Sequence, residues 1–230
     1  MGEMVSYRSN GGTSEGYLAV PTSGSDQTVP AVVVIQEYWG LVPHIKALAD
    51  RFADAGFVAL APDLYHGLHT TEPDEAGKLL MGLAMDQAAK DIAGAAAYLT
   101  ERPEVTGKVG AVGFCAGGSL ALWSATLSDQ IVAAVGFYPK LPWERMRPEW
   151  TGYAGKSAVI HCSEADGTSA DEGVQVARRS IEAAGGECVL YDYPGTKHAF
   201  FNDDRPEVFD RDSAASAWAR TLVHFRAKLR

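Results

Sequence analysis

Cys115 stands between two glycines in a segment whose pattern suits a reactive thiol. The string Gly113-Phe114-Cys115-Ala116-Gly117 follows an apolar run and precedes a helical pattern. A nucleophile benefits from this arrangement, because a sharp strand-to-helix turn exposes its side chain and the glycines let neighbouring backbone approach closely. The positive end of the following helix also favours the thiolate. A lone cysteine is otherwise usually a small buried hydrophobe, so the context is what singles out Cys115.

A general base for this thiol is expected later in the chain, on a loop that follows a strand. His198 occupies such a loop, directly after the predicted strand Glu187–Tyr191. Solvated or packed roles suit the other five histidines better: His44, His66, His69, His161 and His224. Position relative to Cys115 therefore selects His198 as the general base.

The acid that orients this histidine is expected on the loop after the predicted strand Ala158–His161. Asp166 is preferred, because its place before a glycine and the next helix leaves the carboxylate free to accept the imidazole N–H. An aspartate here could instead cap the following helix. Glu164 and Asp171 therefore stay open as alternative acids.

Glu37 follows the first long apolar run and opens the loop from which an oxyanion hole takes one backbone N–H. Tyr38 on this loop and Ala116 after the cysteine are the expected N–H donors. Three aromatic residues could line an apolar substrate pocket, although large aromatics are as often plain core. They are Trp39, Tyr138 and Trp143.

Apolar runs that suit buried parallel strands alternate with helical patterns along most of the chain. The runs are Ala31–Ile35, Val58–Ala61, Val109–Phe114, Ile131–Phe137, Ala158–His161 and Cys188–Tyr191. The helical patterns are His44–Ala55, Glu75–Leu99, Gly117–Leu127, Ala170–Ala184 and Arg211–Lys228. This alternation predicts an α/β fold with a mostly parallel sheet between two layers of helices.

Three further segments complete the predicted architecture. Val5–Tyr7 and Gly16–Ala19 alternate in polarity and predict an amino-terminal antiparallel hairpin at a sheet edge. The stretch Tyr138–Tyr153 is expected to cross the carboxyl edge of the sheet, where such folds bind ligands. Because no repeat or linker interrupts the pattern, we expect one domain spanning residues 1–230.

The composition excludes several classes of partner. A net charge of -9 without a cluster of Lys and Arg argues against a nucleic acid or an anionic membrane. The apolar runs are shorter than the ~20 residues of a membrane span, and the first ten residues lack a signal-peptide core. Three cysteines without a CxxC or Cys/His cluster suggest neither disulfides nor a zinc site, so we expect no metal or cofactor and a reducing cytoplasm.

Four strings resemble the dienelactone hydrolase family of α/β-hydrolases: Val34–Gly40, Ala61–Tyr65, Gly113–Gly118 and Tyr193–Phe200. The resemblance covers nearly the whole chain and implies a three-layer α/β-hydrolase fold that cleaves a small ester or lactone. It also implies a role for Glu37, because the matching glutamate of the family lies beside the thiol and helps to form the thiolate when substrate arrives. Most other α/β-hydrolases carry serine at the elbow and lack this glutamate.

Two positions depart from the family pattern. The prototypes hold a dienelactone carboxylate with an Arg four positions after the histidine and a hydroxyl directly after it, where this chain has Asn202 and Ala199. Together with the negative net charge, these substitutions predict a neutral ester or lactone as substrate. The expectation fails if another basic group reaches the pocket, for which Lys78 and Lys140 are the candidates.

Two hypotheses compete with hydrolysis through Cys115 and His198. The first is a non-catalytic α/β-hydrolase-fold protein kept for binding. The second is a redox-sensing thiol protein, because an accessible thiolate is also oxidisable. It is the weaker of the two, since no resolving cysteine lies near Cys115 in sequence. Oligomeric state leaves no signal in the sequence.

Overall fold

The computed structural model describes residues 2–22, 28–141 and 145–230, which form one eight-stranded sheet with helices on both faces. The strands are β1 Glu3–Ser9, β2 Gly12–Ala19, β3 Val29–Ile35, β4 Val58–Pro62, β5 Val105–Phe114, β6 Ile131–Phe137, β7 Ser157–Ser163 and β8 Glu187–Tyr193. Their order across the sheet is β1-β2-β4-β3-β5-β6-β7-β8.

The helices are α1 Pro43–Asp54, α2 Pro73–Gly82, α3 Met85–Thr100, α4 Ala116–Leu127, α5 Glu172–Ala183 and α6 Arg211–Lys228. Short 3₁₀ turns cover Trp150–Tyr153, Glu164–Asp166 and Thr168–Ala170. None of the helices in the described part of the chain has the length and apolarity needed to cross a bilayer.

The amino-terminal hairpin predicted from the sequence is confirmed and lies at one edge of the sheet. β1 pairs with β2 in antiparallel register, and β2 continues antiparallel to β4. Asn10 and Gly11 make the turn with φ of 51° and 76°, a region that asparagine and glycine tolerate better than other residues. The strand pairings from β4 through β8 are all parallel.

Alternate residues of the central strands enter two apolar layers on opposite faces of the sheet. Ala31, Val33 and Ile35 of β3 pack in the layer that includes α3, α4 and α5. Val32 and Val34 pack on the other face with α1 and α6. Burial of each such valine stabilises the fold by about 1.5–3 kcal/mol. The structure therefore has the three-layer α/β architecture that the sequence predicts.

The single predicted helix Glu75–Leu99 is wrong, because two helices occupy this segment. Leu83 and Ala84 between them are extended, with ψ of 122° and 98°. In α2, Ala76 alone is buried among the described residues, so the apolar spacing of this helix does not mark a face that packs into the core. In contrast, α3 packs one face into the core. The apolar spacing runs continuously across the break, which is why periodicity alone joined the two helices.

The six parallel strands end at one edge of the sheet, and the segments that follow them meet there. These segments are, in chain order, 36–38, 63–65, Cys115, Tyr138, 164–167 and 194–198. The candidates Glu37, Tyr38, Cys115, Tyr138, Asp166 and His198 are therefore collected at the edge where folds of this kind bind ligands.

Candidate active site

Cys115 occupies the sharp turn between β5 and α4. Its φ of 57° and ψ of -121° are strained for a residue with a side chain. The turn requires glycine on both sides: a Cβ on Gly113 would lie 2.0 Å from the Gly117 carbonyl oxygen, and one on Gly117 would lie 2.3 Å from the Gln36 carbonyl oxygen. The close approach of Gly117 also brings the cysteine against the segment that carries Glu37.

The three cysteines are free thiols in different environments. Burial raises the pKa of Cys162 and of Cys188 to about 12, so both stay protonated at neutral pH. Cys115 is partly exposed and sits at the amino terminus of α4, at the positive end of the helix dipole. Of the three, Cys115 alone has the setting of a nucleophile.

His198 and Asp166 come together from the loops after β8 and β7. Nδ1 of His198 lies 2.8 Å from Oδ2 of Asp166, and the Ser163 hydroxyl donates to the same oxygen. The alternative acids are engaged elsewhere. Glu164 accepts the Gly195 N–H at 2.8 Å, and Asp171 caps α5 by accepting the Val174 N–H at 3.2 Å.

The protonation of His198 is controlled by its two neighbours. Burial by itself lowers the pKa of His198, but hydrogen bonds with Asp166 and with the Cys115 thiol outweigh it and raise the pKa to about 10. Partial burial by itself would raise the pKa of Asp166. The hydrogen bonds from His198 and Ser163, together with the charges of His198 and Lys140, outweigh burial, so the pKa of Asp166 is lowered. At neutral pH the arrangement therefore favours an imidazolium at His198 beside the Asp166 carboxylate.

The expected oxyanion donors flank the thiol. Tyr38 follows β3 and Ala116 is the first residue of α4. Within the described residues, neither of these N–H groups donates to a backbone carbonyl. N–H groups in this position can donate hydrogen bonds to the carbonyl oxygen as it becomes negatively charged during attack.

Glu37 is buried rather than solvated, with 3% of its surface exposed. Asn202 Nδ2 donates to its Oε2 at 2.8 Å, and Oε1 has no hydrogen-bond partner in the described part of the protein. Burial raises the pKa of this carboxyl group. Four neighbours oppose the increase without reversing it: His44, Asn202, His198 and Arg205. Glu37 is thus more easily protonated than an ordinary glutamate.

The sequence analysis missed three residues of this site: His44, Ser163 and Arg205. His44 lies in the first turn of α1, seven residues after Glu37, and its Nδ1 contacts Asp203 at 3.2 Å. Ser163 and Arg205 carry no local signal, because the folding of separate loops brings them to the site.

His44, Asp203 and Asp204 place one potential metal-ligand atom each within 4.8 Å of one another. Both aspartates are exposed, and Arg51 lies 3.6 Å from Asp203. The cluster is therefore explained as a charge network that orients His44, and we assign no metal to it.

The aromatic candidates have different surroundings. Tyr138 is buried beside a cavity of about 190 Å³ that also carries Lys140, Asp166 and His198, so this cavity is not the apolar pocket expected. Trp39 is half-buried, and its ring lies 6.0 Å from the Arg205 guanidinium. Trp143 lies outside the described residues.

A second groove, of about 470 Å³, reaches the site through Tyr65. Burial raises the pKa of Tyr65, and a smaller contribution from Cys115 shows that the thiol is nearby. The groove is lined mostly by apolar residues of α2, α3 and the segment after β4, and Lys78 also lines it. Of the two basic residues considered in the sequence analysis, Lys78 lines this groove and Lys140 lines the cavity beside His198 and Asp166.

Two other histidines take the packed role expected for them. His161 is fully buried between Tyr193 Oη at 2.8 Å and Thr221 Oγ1 at 3.0 Å, and burial lowers its pKa to about 3. Burial also lowers the pKa of His224 to about 4. Both are neutral at physiological pH and lie away from the thiol.

Comparisons with known proteins agree with this geometry. The sequence profile of the Dienelactone hydrolase family matches residues 14–229. The chain is 35% identical to the Usf protein of Aquifex pyrophilus and 32% identical to a candidate carboxymethylenebutenolidase of Aquifex aeolicus, with full coverage of both chains in each case.

Solved structures of similar fold are also found. A candidate dienelactone hydrolase of Klebsiella pneumoniae superposes with a TM-score of 0.84 at 25% identity, covering 98% of each chain. A dienelactone hydrolase-like promiscuous phosphotriesterase from metagenomic libraries superposes with a TM-score of 0.82, also at 25% identity, covering 100% of this chain and 99% of the other. The α/β-hydrolase fold expected from the sequence is thereby confirmed.

Proposed function

Since the chain belongs to the dienelactone hydrolase family and is a carboxylic ester hydrolase, we propose that it cleaves a small ester or lactone through Cys115, His198 and Asp166. The contact of 2.8 Å between His198 and Asp166 carries the proposal, and it is supported by the influence of Cys115, which together with Asp166 raises the pKa of the same imidazole. This order of acid, base and nucleophile is what thiol-dependent acyl transfer requires.

The first step is attack of the Cys115 thiolate on the substrate carbonyl carbon. A C–S bond forms while the carbonyl π electrons move to oxygen, which becomes an oxyanion. We assign the stabilisation of this charge to the N–H groups of Tyr38 and Ala116, and the support is that neither donates to a backbone carbonyl among the described residues. Collapse of the intermediate breaks the C–O bond and leaves an acyl thioester on Cys115.

His198 then moves two protons. As an imidazolium it donates one to the departing oxygen, which in a lactone stays attached to the acyl group. As a neutral imidazole it next removes a proton from the water that attacks the thioester. The C–S bond then breaks, which releases the carboxylic acid product and the Cys115 thiolate, and this thiolate can take back the proton held by Glu37. Asp166 holds the ring through Nδ1 and stabilises the cationic form, which is consistent with the raised pKa of His198.

Glu37 completes the proposal as a proton acceptor beside the thiol. Its raised pKa and its unpartnered Oε1 suit a carboxyl group that exchanges a proton during the reaction, and Asn202 fixes its other oxygen. We propose that Glu37 takes the proton of the Cys115 thiol when substrate arrives, which is the role of the matching glutamate in the family. The supporting observation is its burial next to the elbow.

The cavities favour a small substrate with an apolar portion. Leu64, Leu79 and Leu83 line the larger groove, which suits an apolar acyl or alkoxy group. Asn202 is occupied by Glu37, and Ala199 has no hydroxyl, so neither can hold a substrate carboxylate. A neutral ester or lactone is the proposed substrate.

The competing hypotheses make different demands. A redox sensor needs a resolving thiol, and Cys162 and Cys188 are both buried with pKa values of about 12, which suppress the thiolate. A binding protein would not need the contact between His198 and Asp166. Both hypotheses are separated from hydrolysis by turnover.

The test is a panel of chromogenic esters and neutral lactones, assayed with the parent and with Cys115→Ala. A neutral phosphotriester joins the panel because of the structural relative described above. Cys188→Ala serves as the matched control, since it removes a thiol outside the site. We expect turnover in the parent and the control and none above background in Cys115→Ala. Turnover that survives in Cys115→Ala contradicts the proposal.

A further inference from the structure

The Tyr138 side chain carries a hydroxyl group that the fold does not use. Its Oη is buried and has no hydrogen-bond partner among the described residues, and the whole side chain is 1% exposed. Burying a hydroxyl without a partner destabilises a protein, so such groups are rare unless they have a functional role. This one lies at the carboxyl edge of the sheet, directly after β6.

The backbone of Tyr138 is strained as well. Its φ is 38°, a conformation that aromatic residues seldom adopt. The Tyr138 N–H donates to the His161 carbonyl at 2.7 Å, which holds the residue in this position. Strain of this kind concentrates at functional sites, where the surrounding structure imposes it.

The ring of Tyr138 is fixed against the general base. Its ring centroid lies 5.0 Å from that of His198 and 5.5 Å from that of Phe200, and both pairs are arranged edge to face. The hydroxyl has little freedom to reach a different environment, because the ring is held by its neighbours.

The charges around the hydroxyl locate it within the site. Burial raises the pKa of Tyr138 most, followed by the charges of Glu37, Cys115 and Asp166, in that order. The hydroxyl therefore remains protonated at neutral pH and is a hydrogen-bond donor. The ring contact with His198 and the cavity that Tyr138 shares with His198 and Asp166 place the residue beside the general base.

We propose that Tyr138 is a further catalytic residue whose hydroxyl donates a hydrogen bond to the departing ester oxygen of a substrate bound at Cys115. The inference rests on the proposed hydrolase function. No covalent bond to Tyr138 forms: the proton that neutralises the departing oxygen comes from His198, and the Tyr138 O–H stays intact. The hydrogen bond strengthens as negative charge grows on that oxygen, so it favours the transition state over the bound substrate.

Tyr7 provides a matched control. Its hydroxyl is also buried without a partner in the described part of the chain, but it lies on β1 at the edge of the sheet, beside Tyr98. Tyr138→Phe and Tyr7→Phe each remove one unpartnered oxygen and keep the ring. Neither change is expected to lower the melting temperature, because no protein hydrogen bond is lost.

The experiment measures kcat/KM and the melting temperature of the parent and both variants on two neutral esters of one acid, an alkyl ester and a nitrophenyl ester. We expect Tyr138→Phe to lower kcat/KM about 10- to 100-fold for the alkyl ester and clearly less for the nitrophenyl ester, whose leaving oxygen needs less stabilisation. Tyr7→Phe should leave both values within about twofold of the parent, since its hydroxyl lies outside the site.

The outcomes separate this inference from the proposed function. An active parent with a Tyr138→Phe variant that is equally active overturns the inference alone. An equal loss on both esters also overturns it, because the departing oxygen would then not be the acceptor. A loss of activity that accompanies a large fall in melting temperature points to a structural role and overturns it too. A parent without hydrolysis on either ester overturns the proposed function, and this inference with it.

Discussion

At the scale of single residues, the site combines a strained nucleophile with a base whose charge depends on its neighbours. Cys115 has a positive φ, and His198 hydrogen-bonds with Asp166 while Cys115 further raises the pKa of its imidazole. The raised pKa of His198 follows mainly from these two contacts, since burial alone would lower it. The chemistry therefore depends on side chains from three connecting segments that lie far apart in the sequence.

The pH dependence of kcat/KM tests this account of His198. The imidazolium supplies the proton for the departing oxygen, so activity should fall as the pH rises through about 10, the pKa of His198. Asp166→Asn removes the carboxylate that raises this pKa, and the falling limb should shift to clearly lower pH, with kcat reduced by about 100-fold or more. Measured pH profiles of both proteins decide the point.

Glu164→Gln is the control for that profile. Glu164 bonds to the Gly195 N–H and not to the histidine, so the limb should stay in place. If the limb moves in Glu164→Gln and not in Asp166→Asn, the acid is misassigned.

The raised pKa of His198 also affects the stability of the fold. It adds stability that is fully present below the ordinary histidine pKa of 6.5 and is lost as the pH rises through about 10.

At the scale of secondary-structure elements, the elbow depends on how closely β5, α4 and the end of β3 approach one another. The Gly117 position faces the Gln36 carbonyl, so a methyl group there has to move the backbone that carries Glu37. We expect Gly117→Ala to destabilise the protein by about 1–3 kcal/mol or more and to lower kcat/KM sharply. Thermal or urea unfolding, together with the ester assay, measures both effects.

Gly77→Ala is the matched control for this substitution. Gly77 lies within α2, and a Cβ there would have no neighbour within 4 Å. Alanine in a helix interior is more favourable than glycine by roughly 0.5–1 kcal/mol, so this variant should be slightly more stable and fully active. Equal stability of the two variants would contradict the close approach at the elbow.

The elements were largely predictable from the sequence, whereas several side-chain contacts were not. Strand β6 and helix α6 have the predicted bounds, because continuous apolar runs and helical spacing report burial directly. The break at Leu83 and Ala84 was missed, since extended residues between two helices leave no mark on apolar spacing. His44 and Arg205 were missed because their proximity to Glu37 arises from tertiary packing alone.

At the scale of the whole molecule, the net charge of -9 opposes the approach of anions. This long-range field competes with local cations, because Lys140 lines the cavity beside His198 and Lys78 lines the groove beside Tyr65. The field is screened by salt over about 10 Å at 0.1 M ionic strength, while close contacts are screened less. Salt dependence therefore reports which of the two effects dominates.

We expect the long-range field of the net charge to outweigh the local cations. Added salt should raise kcat/KM for a carboxylate-bearing lactone relative to its neutral ester analogue, and the neutral substrate should be preferred at low salt. Assays of the substrate pair between about 10 mM and 500 mM salt measure this ratio. A ratio that falls with salt would show that a local cation binds the anion. Lys140→Ala would then be the variant that removes the preference.

The central claim is that Cys115 forms the acyl enzyme, and acid quenching during turnover followed by intact-mass and peptide mass spectrometry tests it most directly. A thioester survives acid, so the acyl group of a slowly released ester should be retained on the protein. The account predicts one added acyl mass, located on the peptide that contains Cys115 and absent from Cys115→Ala. An acyl group on a different residue, or turnover by Cys115→Ala at the rate of the parent, would contradict it.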